Sequence, residues 1–252
     1  MKRYWQKNWH KTHENLIVTT SWDDGQKTDI KLAKLLKKYG VKGTFYITKS
    51  YRDPLEKQDI IDLDIEHEIG AHTLNHVDLL NLPISEAKRE IEGSKTYVEE
   101  LIGHDIKMFC FPWGQYSEGI KKIVKDAGFI AARTCKPGDF NMPQDPYEWH
   151  ITLHASNASP SLTFRIWRMN SISIKSLIDW EVRAKLLFDL ALERGGVYHL
   201  WGHSYEIDEK TEWDKLERVL KYISNRLKVK YLTNGETLGG LKREASMACK
   251  SI

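Results

Sequence analysis

Leu16-Ile17-Val18-Thr19-Thr20-Ser21-Trp22-Asp23-Asp24-Gly25 is the stretch from which the chain is best read. Leu16 to Thr20 are apolar or β-branched, as a buried strand requires. The strand then meets two adjacent carboxylates and ends at Gly25. Neighbouring Asp side chains repel each other unless a positive group lies beside them. Taken alone, the pair suits a turn and N-cap ahead of a helix as well as it suits a polar site at a strand end.

The rest of the chain repeats this rhythm of strand and helix. Leu32, Leu35, Leu36 and Tyr39 share a helical face that stops at Gly40. Strands are expected at 43–47, 68–72, 108–112, 129–133, 151–155, 197–202 and 230–232. Further helices are expected at 59–66, from Ser85 as N-cap, after Ser117, from about Lys175 to Arg194, and after Thr211. The last of these carries the stripe Trp213, Leu216, Leu220, Ile223 and Leu227. The four prolines between Cys135 and Arg168 mark a loop-rich region. Alternating βα units favour a parallel sheet flanked by helices, and six to eight units favour a closed barrel. Barrel sites lie at the C-terminal strand ends. Asp23 and Asp24, His72 and His76, the Pro112-Trp113-Gly114 turn, Arg133 and His203 all follow strands, so they are expected at one mouth.

Composition sets outer limits. The 252 residues suffice for one large α/β domain, and 41% hydrophobic with 29% charged residues suits a soluble globular protein. A net charge of +3, from 38 basic and 35 acidic residues, is too balanced to favour nucleic acid as partner. Met1 to Asn15 is polar and lacks the apolar core of a signal peptide, and no apolar run is long enough to span a bilayer. Cys110, Cys135 and Cys249 form neither a zinc knuckle nor a redox pair. The expectation is a reduced, cytoplasmic protein. Nine Trp and 11 Tyr supply ring faces of the kind sugar sites use, although core packing uses them equally.

His72 and His76 are four apart. On a helical turn that spacing sets both rings on one side, within reach of one divalent ion. Adding one Asp gives a two-His, one-carboxylate set with open positions. This set suits Zn2+ or another first-row divalent ion in a catalytic role, and it leaves the other Asp free as a base.

Four segments together resemble the polysaccharide deacetylase family (the NodB-homology domain). They are Ser21-Trp22-Asp23-Asp24-Gly25, His72-Thr73-Leu74-Asn75-His76, Phe111-Pro112-Trp113-Gly114 and Trp201-Gly202-His203-Ser204, in the family's order across roughly residues 16 to 205. The resemblance implies a single-domain, distorted (β/α) barrel of about seven parallel strands with its core at about 16–235. It also implies a metal-dependent hydrolase that cleaves the amide of N-acetylated amino sugars. By position, Asp23 corresponds to the general base, and Asp24, His72 and His76 to the ligands of one divalent ion, Zn2+ by donor type. Trp113, with Pro112, would offer a backbone N–H to the oxyanion, and His203 would be the general acid, protonating an amine that leaves poorly as an anion.

The chain departs from the family at Cys110, where many members carry an Arg that pairs with the catalytic Asp. Arg133, at the next strand end, is the candidate replacement, expected to grip Asp23 through two parallel hydrogen bonds. An ion-paired surface Arg is the alternative. His199, inside a strand, reads as a core or supporting histidine that competes with His203 for the acid role. His150 and His154 read as loop or substrate-side groups. The expected substrate is an N-acetylated sugar or sugar-containing precursor for a surface polysaccharide. A barrel hydrolysing a non-sugar amide and an inactive sugar-binding protein are the competing readings.

Overall fold

The opening stretch forms β1 (Leu16–Asp24), and the strand runs on through both carboxylates before Gly25 turns the chain. Gly25 has φ +67, and a Cβ there would lie 2.9 Å from Ile47 Cδ1, so glycine answers both the backbone and the space. The computed structural model describes residues 16–156 and 179–239. The expected helix start at Lys175 and the third cysteine, Cys249, lie outside the described residues.

Four βα units follow one pattern: α1 (Thr28–Lys38), β2 (Gly43–Ile47), α2 (Lys57–Asp64), β3 (Glu68–Ala71), α3 (Ile84–Ile102), β4 (Met108–Cys110), α4 (Glu118–Asp126) and β5 (Ala131–Arg133). Then come β6 (Leu153–His154), α5 (Trp180–Arg194), β7 (Val197–Gly202), α6 (Ser204–Glu209), α7 (Trp213–Ile223) and β8 (Val229–Tyr231). All strand pairs are parallel, in the order β5-β4-β3-β2-β1-β7-β6. β8 lies off that path against Leu16–Val18 of β1. The stretch around Trp149 to Ala155 draws the two ends together. Thr134 donates its N–H to Trp149 O (2.8 Å) on the β5 side, and Thr152 donates to His199 O (3.0 Å) on the β7 side. The result is the expected distorted (β/α) barrel of seven parallel strands, with β8 as an addition.

Period-two alternation sorts the strand residues. Tyr46, Met108, Cys110, Ala131, Trp149 and Val197 form one buried cluster inside the curl. Their neighbours Phe45, Ile47, Phe109 and Ala132 join the larger core beneath the helices. Gly70 lies opposite Tyr46, and a Cβ on it would meet the Tyr46 ring at 2.7 Å. The helices bury the stripes their sequences carry: Leu32 and Leu36 in α1, and Ala87, Ile91, Ser94 and Val98 in α3. Burying one such large aliphatic side chain contributes about 1.5–3 kcal/mol.

Several boundaries differ from expectation for local reasons. α3 begins at Ile84, because Pro83 takes the N-cap and its carbonyl accepts from Glu86 and Ala87, so Ser85 is already inside the first turn. α2 begins at Lys57, set by a capping box between Glu56 and Asp59. Ser117 caps α4 as expected, accepting from Ile120 N–H. Thr211 does not cap α7: it has φ 54, and Glu212 occupies the N-cap. α7 ends at Ile223 because Asn225 turns left-handed, and Leu227 is therefore 95% exposed, outside the stripe expected for it. Among the described residues, no helix is long and apolar enough to cross a membrane.

Candidate active site

The C-terminal strand ends bring the expected polar residues together. Asp23 and Asp24 close β1, His72 follows β3, Trp113 lies in the turn after β4, Arg133 closes β5 and His203 follows β7. His72 and His76 reach a common point, but not on a helix. Thr73 (φ 60) and His76 (φ 49) make a left-handed, irregular turn that sets the two rings 4.9 Å apart. Asp24 (φ 81) and Trp113 (φ 53) are also left-handed, so four non-glycine residues of the site share this uncommon backbone. Trp113 is 55% exposed, with its ring 4.6 Å from that of His76, and Pro112 before it is buried.

Asp24, His72 and His76 each offer a donor atom within 4.8 Å of the other two. Asp24 Oδ1 is buried without a hydrogen-bond partner among the described residues, and it faces His76 Nε2 at 3.3 Å and His72 Nε2 at 3.6 Å. His72 Nδ1 donates to the Cys110 carbonyl oxygen (2.8 Å), which leaves the Nε2 lone pair directed at Asp24. Burial pushes Asp24 up to about 7, opposed by His203 and aided by Asp23. Burial also lowers His72 to about 3 and shifts His76 down, so both rings are neutral. A stranded carboxylate oxygen before two neutral imidazole nitrogens fits a divalent cation, and these donors suit Zn2+.

Asp23 is the partner of Arg133. Both side chains are buried, and Arg133 Nη2 reaches both carboxylate oxygens. One nitrogen thus spans the carboxylate, in place of the expected two-nitrogen fork. The cause is steric sharing: Nη2 also sits 2.7 Å from Cys110 Sγ, and Nη1 points to Thr134 O and Cys135 Sγ. Cys110 and Cys135 are both free thiols. The guanidinium is sandwiched between the rings of Tyr46 (5.2 Å) and Trp201 (5.0 Å). Burial alone would raise Asp23, but the guanidinium outweighs it and holds the carboxyl well below the usual range.

His203 Nε2 faces Asp24 Oδ2 at 3.9 Å, and its Nδ1 lies 3.1 Å from Glu206 Oε1. Burial works against a charged ring here, yet Glu206, Asp23 and Asp24 together raise His203 above its ordinary value. His199 stays within the barrel wall, buried, with Nε2 2.8 Å from Ser21 Oγ. Burial drives it well below the ordinary histidine range, so it is a supporting residue. His150 pairs with Thr134 Oγ1 (2.8 Å), away from the carboxylates, whereas His154 stands beside His203, with ring centres 5.8 Å apart.

Three contributors escaped the sequence reading. Trp201 donates its indole N–H to Asp23 Oδ2 (2.9 Å); its place two residues after the inward His199 was the available signal. Glu206 was signalled by its i+3 spacing from His203. Tyr51 sets its ring 4.7 Å from the His76 ring, tilted by 37°, from a loop with no periodicity to read.

Comparisons with known proteins agree with this geometry. Residues 10–132 match the family model described as polysaccharide deacetylase, which takes in every expected ligand and stops just short of Arg133. The Bacillus subtilis protein YxkH is 28% identical over 159 residues, 61% of this chain and 55% of its own length. A peptidoglycan-N-acetylglucosamine deacetylase of Bacillus cereus is 25% identical over 145 residues, 56% of this chain and 64% of its own. The chain thus spans less than two thirds of either relative. The structure of the chitin deacetylase from Colletotrichum lindemuthianum superposes with a TM-score of 0.60 at 18% identity, covering 90% of this chain and 88% of that one, a likeness of fold. With its paired aspartates, histidine pair and proline turn all inside the match, and all delivered to one barrel mouth, this chain resembles the polysaccharide deacetylase family across residues 10–132.

Proposed function

We propose that the chain is a metal-dependent hydrolase that removes the N-acetyl group from an N-acetylated amino sugar. The observation that carries this is the stranded Asp24 oxygen before His72 and His76, with a second carboxylate beside it kept ionised by Arg133. A divalent cation held by Asp24, His72 and His76 would polarise the acetyl carbonyl and acidify an attacking water. Asp23, oriented by Arg133 and the Trp201 indole, takes a proton from the water as it attacks. The Pro112–Gly114 turn supplies the Trp113 N–H to the developing oxyanion. His203, its ring set by Glu206, protonates the departing amine. The guanidinium at Asp23 favours turnover over an inactive sugar-binding role. The names of the Bacillus cereus relative and of the fungal structure support an N-acetylated amino sugar over a non-sugar amide.

The test is acetate release by the Zn2+-loaded protein from N-acetylglucosamine oligomers, peptidoglycan fragments and a nucleotide-linked N-acetyl sugar. Release from at least one, lost on chelation and in Asp23→Asn, is expected. No release from any of them by protein with one bound ion would overturn the reading.

A further inference from the structure

A second group of ligand-type side chains stands on the β7 side of the mouth. His154 closes β6 opposite Trp201, His203 follows β7, and Glu206 is one turn on in α6. His203 Nδ1 is 3.1 Å from Glu206 Oε1, and His154 Nε2 is 3.7 Å from Glu206 Oε2. One nitrogen of each ring and one carboxylate oxygen all lie within 4.8 Å of one another. Tetrahedral bonds of about 2.0–2.1 Å put donors roughly 3.4 Å apart, so small side-chain rotations would close this set on an ion. Both rings are already oriented by aromatic neighbours: His154 lies 4.4 Å and His203 5.3 Å from the Trp201 ring. The three side chains are 13 to 20% exposed, which leaves a path for an ion to enter.

We propose that His154, His203 and Glu206 form a second site for a first-row divalent cation such as Zn2+, separate from Asp24, His72 and His76, and that filling it inhibits the enzyme. On binding, the cation replaces the proton on His203 Nδ1, which passes to solvent, and Glu206 turns its charge to the ion. The His203 ring is then fixed as a ligand and stops cycling protons. This site is the weaker of the two. Its carboxylate is shared with Lys210, whose Nζ lies 3.9 Å from Glu206 Oε2, whereas the Asp24 oxygen is buried and stranded. A range of free cation therefore exists in which the first site is full and the second empty. The inhibitory half rests on the proposed role of His203; the binding half does not.

The experiment is equilibrium dialysis of the full chain against rising free Zn2+, with elemental analysis, alongside acetate release. One ion per chain is expected at low free Zn2+ and a second at higher concentration. His154→Gln and Glu206→Gln should each lose the second ion and keep the first, which also reports that the variant is folded. With free Zn2+ at about ten times the Kd of the second site, wild-type turnover should fall by about ten-fold relative to the one-ion form. His154→Gln should show no such fall over the same range. A single ion at every concentration, or a second ion retained in both variants, overturns the site. A second ion that leaves turnover unchanged overturns its inhibitory half. If no sugar is deacetylated at all, the proposed function fails while dialysis still decides the site.

Discussion

Arg133→Ala removes a fully buried cation and strands the carboxylate of Asp23. Two uncharged donors then remain to it: the Trp201 indole at 2.9 Å and the Cys110 thiol at 3.6 Å. Burial acts on that carboxylate unopposed once the guanidinium is gone. Breaking a buried pair in this way costs about 3–5 kcal/mol. With an m-value of about 2 kcal/mol per M, the urea midpoint falls by about 1.5–2.5 M. Arg133→Lys keeps the charge but not the reach of Nη2 across both oxygens, so it loses less. Adding Asp23→Asn to Arg133→Ala removes the stranded charge and recovers part of the loss. The pH dependence has a definite sign. The folded-state value of Asp23 lies below its ordinary 3.8, so the pair stabilises fully above that value, and the contribution fades as pH falls through the folded one. The wild-type advantage over Arg133→Ala therefore shrinks in acid. The assay is urea unfolding with m held unchanged. A midpoint shift under about 0.5 M, the size of a surface ion pair, would refute the reasoning. So would a double variant no more stable than Arg133→Ala.

Asp23→Asn should retain the bound ion and lose turnover by about 10²-fold or more. It also strands Arg133, so its urea midpoint should fall with the turnover; near wild-type turnover would place the base elsewhere. His72→Ala should drop the bound metal at the first site from one ion to none by elemental analysis, and an unchanged ion content would remove His72 from the ligand set. Glu68 is half-buried at the opposite end of the barrel, where it accepts from Thr44 Oγ1 and Gly235 N–H, and desolvation pushes it up to about 7. Its folded value exceeds its ordinary 4.5, so wild-type stability should decline as pH rises from about 4.5 through 7; Glu68→Gln should lack that decline and be the more stable protein above pH 7. Gly70→Ala drives a methyl to 2.7 Å from the Tyr46 ring and 2.9 Å from Met108 O, and should cost about 1–3 kcal/mol in urea unfolding, whereas a neutral result would mean β2 and β3 can part at no cost.

The sequence carried those features that depend on short-range repetition. Short apolar and β-branched runs located the strands, and strand order placed Asp23, Asp24, His72, His76, Arg133 and His203 at one mouth. Boundaries were less legible because single residues set them: Pro83 moved the start of α3, and Asn225 ended α7 before Leu227. The turn from His72 to His76 shows how far spacing alone can mislead. Four-residue separation suggested a helical face, yet the rings converge because Thr73 and His76 are left-handed, and composition does not encode this. The grip of Arg133 on Asp23 was expected from one substitution, Cys110. Its single-nitrogen geometry depends on two thiols competing for the same guanidinium, one of them two residues beyond the strand end. Trp201 has its partner, Asp23, 178 residues away, and only the pairing of β1 with β7 brings the two within reach.

The left-handed backbone at Asp24, Thr73, His76 and Trp113 has an evolutionary consequence. A residue with a Cβ in that region gives up roughly 1 kcal/mol relative to one without, less for Asp. Glycine at His76 would therefore raise the melting temperature while emptying the site. A library of variants screened for thermal survival alone should drift toward glycine or asparagine at these positions. The same library screened on substrate should keep Asp24 and His76 and seek its gains elsewhere. Where the two screens diverge is a map of the residues this fold retains for chemistry at the expense of rigidity.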